Sequence, residues 1–149
     1  MENNNISLEE LQKSNSIIRA ISNYYTSRIV GQRNLQILLL VSLVANGHIL
    51  VESVPGLAKT TAAKVLTESC GGKFSRIQCT PDLLPSDIIG TQTYNAKTSE
   101  FETQIGPVYA NFVLLDEINR SSSKTQSAML EAMQERQVSI GGKQYKLPD

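Results

Sequence analysis

Residues 48–70 constrain the fold of this chain most. His48-Ile49-Leu50-Val51-Glu52 reads as a short apolar strand. A turn-rich loop around Pro55-Gly56 follows, and then a helix opening at Lys59-Thr60. Ala62, Ala63, Val65 and Leu66 supply that helix with an apolar face, and Gly71-Gly72 closes it. Strand, tight loop and helix N-terminus together make an anion site, because free backbone N–H groups and the positive end of the helix dipole converge on one point. Pro55, Gly56, Leu57, Ala58, Lys59, Thr60 and Thr61 are the residues that would wrap a phosphate there. Lys59 brings a charge to the β- and γ-phosphates of a nucleotide, and the Thr60 hydroxyl is placed to ligate Mg²⁺.

This is the layout of a P-loop, with two departures. In the pattern G-x-x-x-x-G-K-[ST], Ser53 stands at the first glycine and Ala58 at the second. If either position needs a positive φ, a side chain there costs about 1–2 kcal/mol. Alone, the segment is also compatible with an ordinary strand–turn–helix carrying a surface lysine. A second motif follows in the right order: Asn111-Phe112-Val113-Leu114-Leu115-Asp116-Glu117. It reads as a buried parallel strand delivering two carboxylates at its C-terminal edge, where ligands bind in open α/β sheets. Asp116 is the expected Mg²⁺ ligand and Glu117 the residue that polarises an attacking water. The plain alternative is a strand end in solvent, and the preceding Gly56-Lys59-Thr60 loop argues against it.

Composition narrows the class. A length of 149 residues allows one core, and fourteen basic residues balance fourteen acidic ones, so no basic field points to nucleic acid. Cys70 and Cys79 lack metal-ligand spacing and read as reduced thiols of a cytoplasmic protein. Met1 to Asn5 has neither the basic nor the apolar region of a signal peptide, and the apolar run Ile37 to Val44 is too short to span a bilayer.

Along the chain, Ser7 and Glu10 form a capping box for a helix with Leu8, Leu11, Ile18, Ile21 and Tyr25 near helical spacing. Gly31 is a turn. Arg33 to Ala45 is apolar nearly all round and predicts a buried helix, stopped by Asn46-Gly47. Phe74 to Cys79 is a second strand, and residues 81–87 form a loop with a short helix starting near Ser86. Thr91 to Tyr94 and Glu100 to Thr103 are the arms of a hairpin. A helix over Lys124 to Gln137 turns Ala128, Met129, Ala132 and Met133 inward. Val138 to Ile140 and Lys143 to Leu147 flank a Gly141-Gly142 turn.

Ile29-Val30-Gly31-Gln32, the loop 54–60, Thr80-Pro81-Asp82-Leu83-Leu84-Pro85-Ser86-Asp87, Gly106-Pro107, Asp116-Glu117-Ile118-Asn119-Arg120, Lys124-Thr125-Gln126 and the run 130–138 together resemble the MoxR family of AAA+ ATPases over roughly residues 15–149. That family tolerates Ala before the P-loop lysine; Ser53 remains a departure. The resemblance implies an α/β P-loop NTPase (AAA+) fold, a parallel sheet with flanking helices and two inserted β-hairpins. The first hairpin is similar to the helix-2 insert and the second to the pre-sensor-1 hairpin. Both usually face the central pore of a ring or a client. Residues 1–28 become a helix preceding the core and 29–149 a partial AAA+ domain, with Val30 and Gly31 near the adenine. The sheet order 5-1-4-3-2 would leave strand 4 beyond Asp149, together with sensor 1, the arginine finger, sensor 2 and the lid. The expected activity is hydrolysis of ATP to ADP with Mg²⁺ by a homo-oligomeric ring, six subunits being the expected number. The ring would act as a chaperone that remodels a client or assists metal insertion into it, while this stretch alone would be inactive. An ATPase subunit of a magnesium-chelatase-like machine uses the same sites, and a nucleotide-gated scaffold without turnover is the third reading.

Overall fold

The computed structural model describes residues 6–52 and 58–148. The chain forms two compact units, residues 1–71 and 72–149.

The first unit is helical. Helix α1 (Leu8–Arg28) starts where the capping box predicts. Glu10 N donates to Ser7 Oγ at 3.2 Å, and Ser7 N donates to a Glu10 carboxylate oxygen at 2.8 Å. The bond from the Ser7 backbone, and then that from its hydroxyl, hold the Glu10 carboxyl below its ordinary value. This contribution to the helix is present above the unfolded carboxylate pKa and is lost as the pH falls through the folded one. Only Tyr25 of the expected apolar stripe is fully buried; Leu8 and Leu11 are exposed.

Helix α2 (Arg33–Val44) corrects the expectation of a buried helix. Gln36 and Leu39 are buried, but Ile37, Leu38, Val41 and Val44 are exposed. A helix beside two others, α1 and α3 (Lys59–Cys70), has neighbours for one stripe, so its remaining apolar residues stay uncovered. Gln36 survives burial because its amide donates to the Ser22 carbonyl and hydroxyl, at 3.2 and 3.0 Å. Helix α3 buries Ala62, Val65, Leu66 and Thr67 and ends at Gly71. The strand expected at 48–52 is also corrected: the run is irregular and belongs to none of the sheets. Apolar sequence makes a strand only beside a ladder partner, and none is assigned to it among the described residues.

The second unit holds three two-stranded sheets. Strand β1 (Phe74–Gln78) is followed by helix α4 (Pro85–Ile89), whose first turn is tied by Leu84 N donating to the Asp87 carboxylate at 2.8 Å. Strands β2 (Gly90–Asn95) and β3 (Glu100–Ile105) form the first hairpin. Strand β4 (Phe112–Asp116) runs parallel to β1 with Phe74 opposite Phe112 and Gln78 opposite Asp116. It is half-buried along its whole length rather than buried, since its ladder joins only β1.

A 3₁₀ turn (Ile118–Arg120) leads to helix α5 (Ser123–Glu135), capped by Ser122 Oγ, which accepts from Thr125 N at 3.3 Å. Its buried face is Thr125, Met129 and Ala132; Ala128 and Met133 are half-buried flanks. Strands β5 (Gln137–Ile140) and β6 (Lys143–Lys146) enclose Gly141 and Gly142, both at positive φ (57° and 78°), as a two-residue hairpin turn requires.

The core of this unit is Ile77, Ile88, Val108, Met129, Ala132, Val138 and Ile140, with Val113 and Leu115 packed against it. The two hairpins meet: Gly141 lies against the Gln92 side chain, and Tyr145 Oη donates to Thr103 Oγ1 at 3.0 Å. At the base of the first hairpin a methyl group on Gly106 would collide with the Ile88 carbonyl and the Gly90 amide. Both are backbone and cannot swing aside, so Gly106→Ala should lower stability by about 1–3 kcal/mol. A urea midpoint unchanged from wild type would contradict this.

Candidate functional site

Each unit holds one half of the expected chemistry. In the first, Ala58 sits at φ 51°, ψ 28°, the left-handed conformation that the second P-loop glycine would take without strain. Ala62 N donates to the Ala58 carbonyl at 2.8 Å. As the first turn of a twelve-residue helix, α3 leaves the N–H groups of Lys59, Thr60 and Thr61 without intrahelical acceptors and adds the positive end of its dipole. Lys59 and Thr60 are half-buried and Thr61 is exposed. Lys59 makes no ion pair among the described residues. Pro55, Gly56 and Leu57, expected at the phosphate, lie outside the described residues, as does Ser53. Val30 is almost fully exposed, and Gly31 turns the chain at φ 82° between α1 and α2.

In the second unit Asp116 ends β4 and Glu117 follows at φ 56°, outside the strand. The parallel register puts Asp116 opposite Gln78. Arg76, two residues earlier on the same face of β1, reaches along the strand to it: Arg76 Nη2 donates to Asp116 Oδ2 at 2.6 Å and to Gln78 Oε1 at 3.3 Å. The Asp116 backbone is held too, its carbonyl accepting from Cys79 N at 2.9 Å. Burial, and secondarily the Asp116 charge, push the Cys79 thiol up. Glu117 accepts from Arg120 Nη1 at 2.8 Å, a pair closed by the 3₁₀ turn.

Neither arginine was singled out by sequence reasoning. Arg120 was legible, three residues beyond Glu117. Arg76 was not, because only the β1–β4 register brings it to Asp116.

Among the described residues no group of three or more His, Cys, Asp or Glu side chains could hold a metal. The Thr60 hydroxyl in the first unit and the Asp116 carboxylate in the second are each a hard oxygen donor of the kind that suits Mg²⁺.

Residues 48–149 match the family described as "ATPase family associated with various cellular activities (AAA)". The chain is a MoxR-family AAA+ ATPase segment. It is 57% identical over 120 residues to Chaperone MoxR1 of Mycobacterium tuberculosis, covering 80% of this chain and 32% of that protein. It is 54% identical over 121 residues to the uncharacterized protein YeaC of Bacillus subtilis, covering 81% of this chain and 38% of that one. A crystal structure from Cytophaga hutchinsonii, of a protein assigned as an ATPase, superposes with a TM-score of 0.76 at 45% identity, covering 94% of this chain and 44% of that one. The chain therefore spans about a third of the length of these curated relatives. The fold is the α/β P-loop NTPase fold of the family. No helix among the described residues is long and apolar enough to cross a membrane.

Ala58 carries backbone strain at the start of α3. Relief of its left-handed φ in Ala58→Gly is about 1–2 kcal/mol, offset by about 0.4–1 kcal/mol of added unfolded-chain freedom. The variant should unfold at a urea concentration equal to or above that of wild type. A clear drop in midpoint would mean that the Ala58 methyl makes contacts that outweigh the strain.

Proposed function

We propose that this chain is the nucleotide-binding segment of a MoxR-type ATPase that hydrolyses Mg·ATP. The observation that carries this reading is a helix opening on Lys59-Thr60 behind a left-handed Ala58, in a chain whose family match covers residues 48–149. The roles rest on the chemistry of each half taken separately. The loop 55–61 would wrap the phosphates, its backbone N–H groups from Gly56 onward donating to them, and Lys59 would add a charge-assisted bond to the β- and γ-phosphates. Val30 and Gly31 lie beside the adenine. Thr60 and Asp116 hold Mg²⁺, which when bound neutralises charge on the phosphates. Glu117, whose carboxylate accepts from Arg120, would orient and polarise the attacking water.

The working assembly is a homo-oligomeric ring, and its task is to remodel a client protein or assist metal insertion into it. The similarity to Chaperone MoxR1 supports the chaperone part of this reading. The two exposed aromatics of the first hairpin, Tyr94 and Phe101, whose ring centroids are 5.3 Å apart, are in keeping with a client-facing role.

Two substitutions in the full-length protein test the reading. Lys59→Ala should weaken ADP binding by about 1.5–3 kcal/mol, the range for hydrogen bonds to charged groups. Equal affinities by calorimetry would remove this loop as the phosphate site. Glu117→Gln should keep Mg·ATP bound while phosphate release stops, because the amide cannot accept the water's proton. Retained turnover would assign water activation to another residue, and absence of turnover in wild type would favour a nucleotide-gated scaffold.

A further inference from the structure

We infer that Arg76 is a positioning residue for the metal site: it anchors one oxygen of Asp116 so that the other is presented to Mg²⁺. The inference deepens the nucleotide-site reading and rests on it. The guanidinium contacts Oδ2 alone, at 2.6 Å, and the same Nη2 is steadied by Gln78. A carboxylate with one oxygen tied cannot rotate freely, and its untied Oδ1 keeps a fixed direction. The backbone is fixed on the same register, with Gln78 opposite Asp116 and Cys79 N bonded to the Asp116 carbonyl.

The pair is partly in water, with Arg76 and Asp116 side chains 48% and 25% exposed. Exposed ion pairs contribute little to stability, so the consequence of this one is orientation. A guanidinium beside a metal ligand also repels the cation. Water and salt around the half-exposed Arg76 weaken that repulsion, and Arg76→Lys, which keeps the charge without the planar fork, separates it from anchoring. Loss of a group that orients a metal ligand costs about 10–100-fold.

The experiment is a titration of the full-length protein with a fluorescent ADP analogue, with MgCl₂ and with EDTA, on wild type, Arg76→Gln and Arg76→Lys. Affinity in EDTA reads the phosphate loop, and the gain on adding Mg²⁺ reads the metal site. Arg76→Gln should reduce that gain about tenfold or more and leave the EDTA affinity unchanged. Arg76→Lys, which keeps the charge but loses the planar fork, should be intermediate and serves as the decisive variant if the glutamine form does not fold. Adding Arg76→Gln to Asp116→Asn should cost nothing further, since the effect runs through that carboxylate. An unchanged or enlarged Mg²⁺ gain overturns the inference, and so does an equal loss in EDTA, which would make Arg76 merely structural. Wild type that binds the analogue without any Mg²⁺ gain overturns it while leaving the phosphate loop standing. Wild type that does not bind at all overturns the nucleotide reading together with it.

Discussion

The parallel ladder between β1 and β4 is the interaction on which the second unit depends. It aligns Ile77 with Leu115, and these two, with Val113, supply the sheet's share of the core. The same register carries Asp116 to the carboxyl end beside Gln78, with Arg76 two residues back on the same face. A slip of one residue would turn the core positions to the opposite face and break the Arg76–Asp116 contact at once. Packing and chemistry are therefore specified by one set of backbone hydrogen bonds.

Helix α5 and the hairpins complete that core from the other side. Met129, Ala132, Val138 and Ile140 meet Ile88 and Val108 in one cluster, so the helix and the strand after it act as a continuous lining. Thr125, fully buried at the first turn of α5, donates its hydroxyl to the Leu83 carbonyl at 2.7 Å, tying the loop before α4 to the helix. The hairpins then lock to each other through Tyr145 and Thr103, and their base is as tight as glycine allows. The tip of the first hairpin is different in kind. Tyr94 and Phe101 pack on one another and remain exposed, which leaves large apolar surface available to something else.

Two of the six non-glycine residues at positive φ among the described residues are ones given chemical roles. Ala58 and Glu117 both occupy the left-handed region without being glycine. Each lies where a helix or turn begins. Asp116 and Glu117 each rest against an arginine, Arg76 or Arg120, which compensates two neighbouring carboxylates. Arg76 and Arg120 serve different acids from opposite directions, one across the ladder and one along the chain.

Much of the fold was legible in the sequence because the deciding signals are local. The Ser7–Glu10 box, the Lys59-Thr60 helix start and the Gly141-Gly142 turn depend on neighbours within four residues, and each appears as read. The family strings around Thr80 to Asp87 and Asp116 to Arg120 carried the family assignment for the same reason, and the match over residues 48–149 agrees with it. Burial was less legible. The apolar runs at 33–45 and 48–52 predict a buried helix and a strand, yet α2 keeps an exposed apolar side and 48–52 joins no sheet. Hydrophobicity states that a segment can be covered; whether it is covered depends on elements far away in sequence. The candidate acids were likewise visible as Asp116-Glu117, a local pattern at a strand end. Their arginine partners divide along the same line: Arg120 is three residues from Glu117, while Arg76 is forty residues from Asp116. Only the tertiary register could choose Arg76, because strand pairing is a long-range contact that no single stretch of the chain encodes.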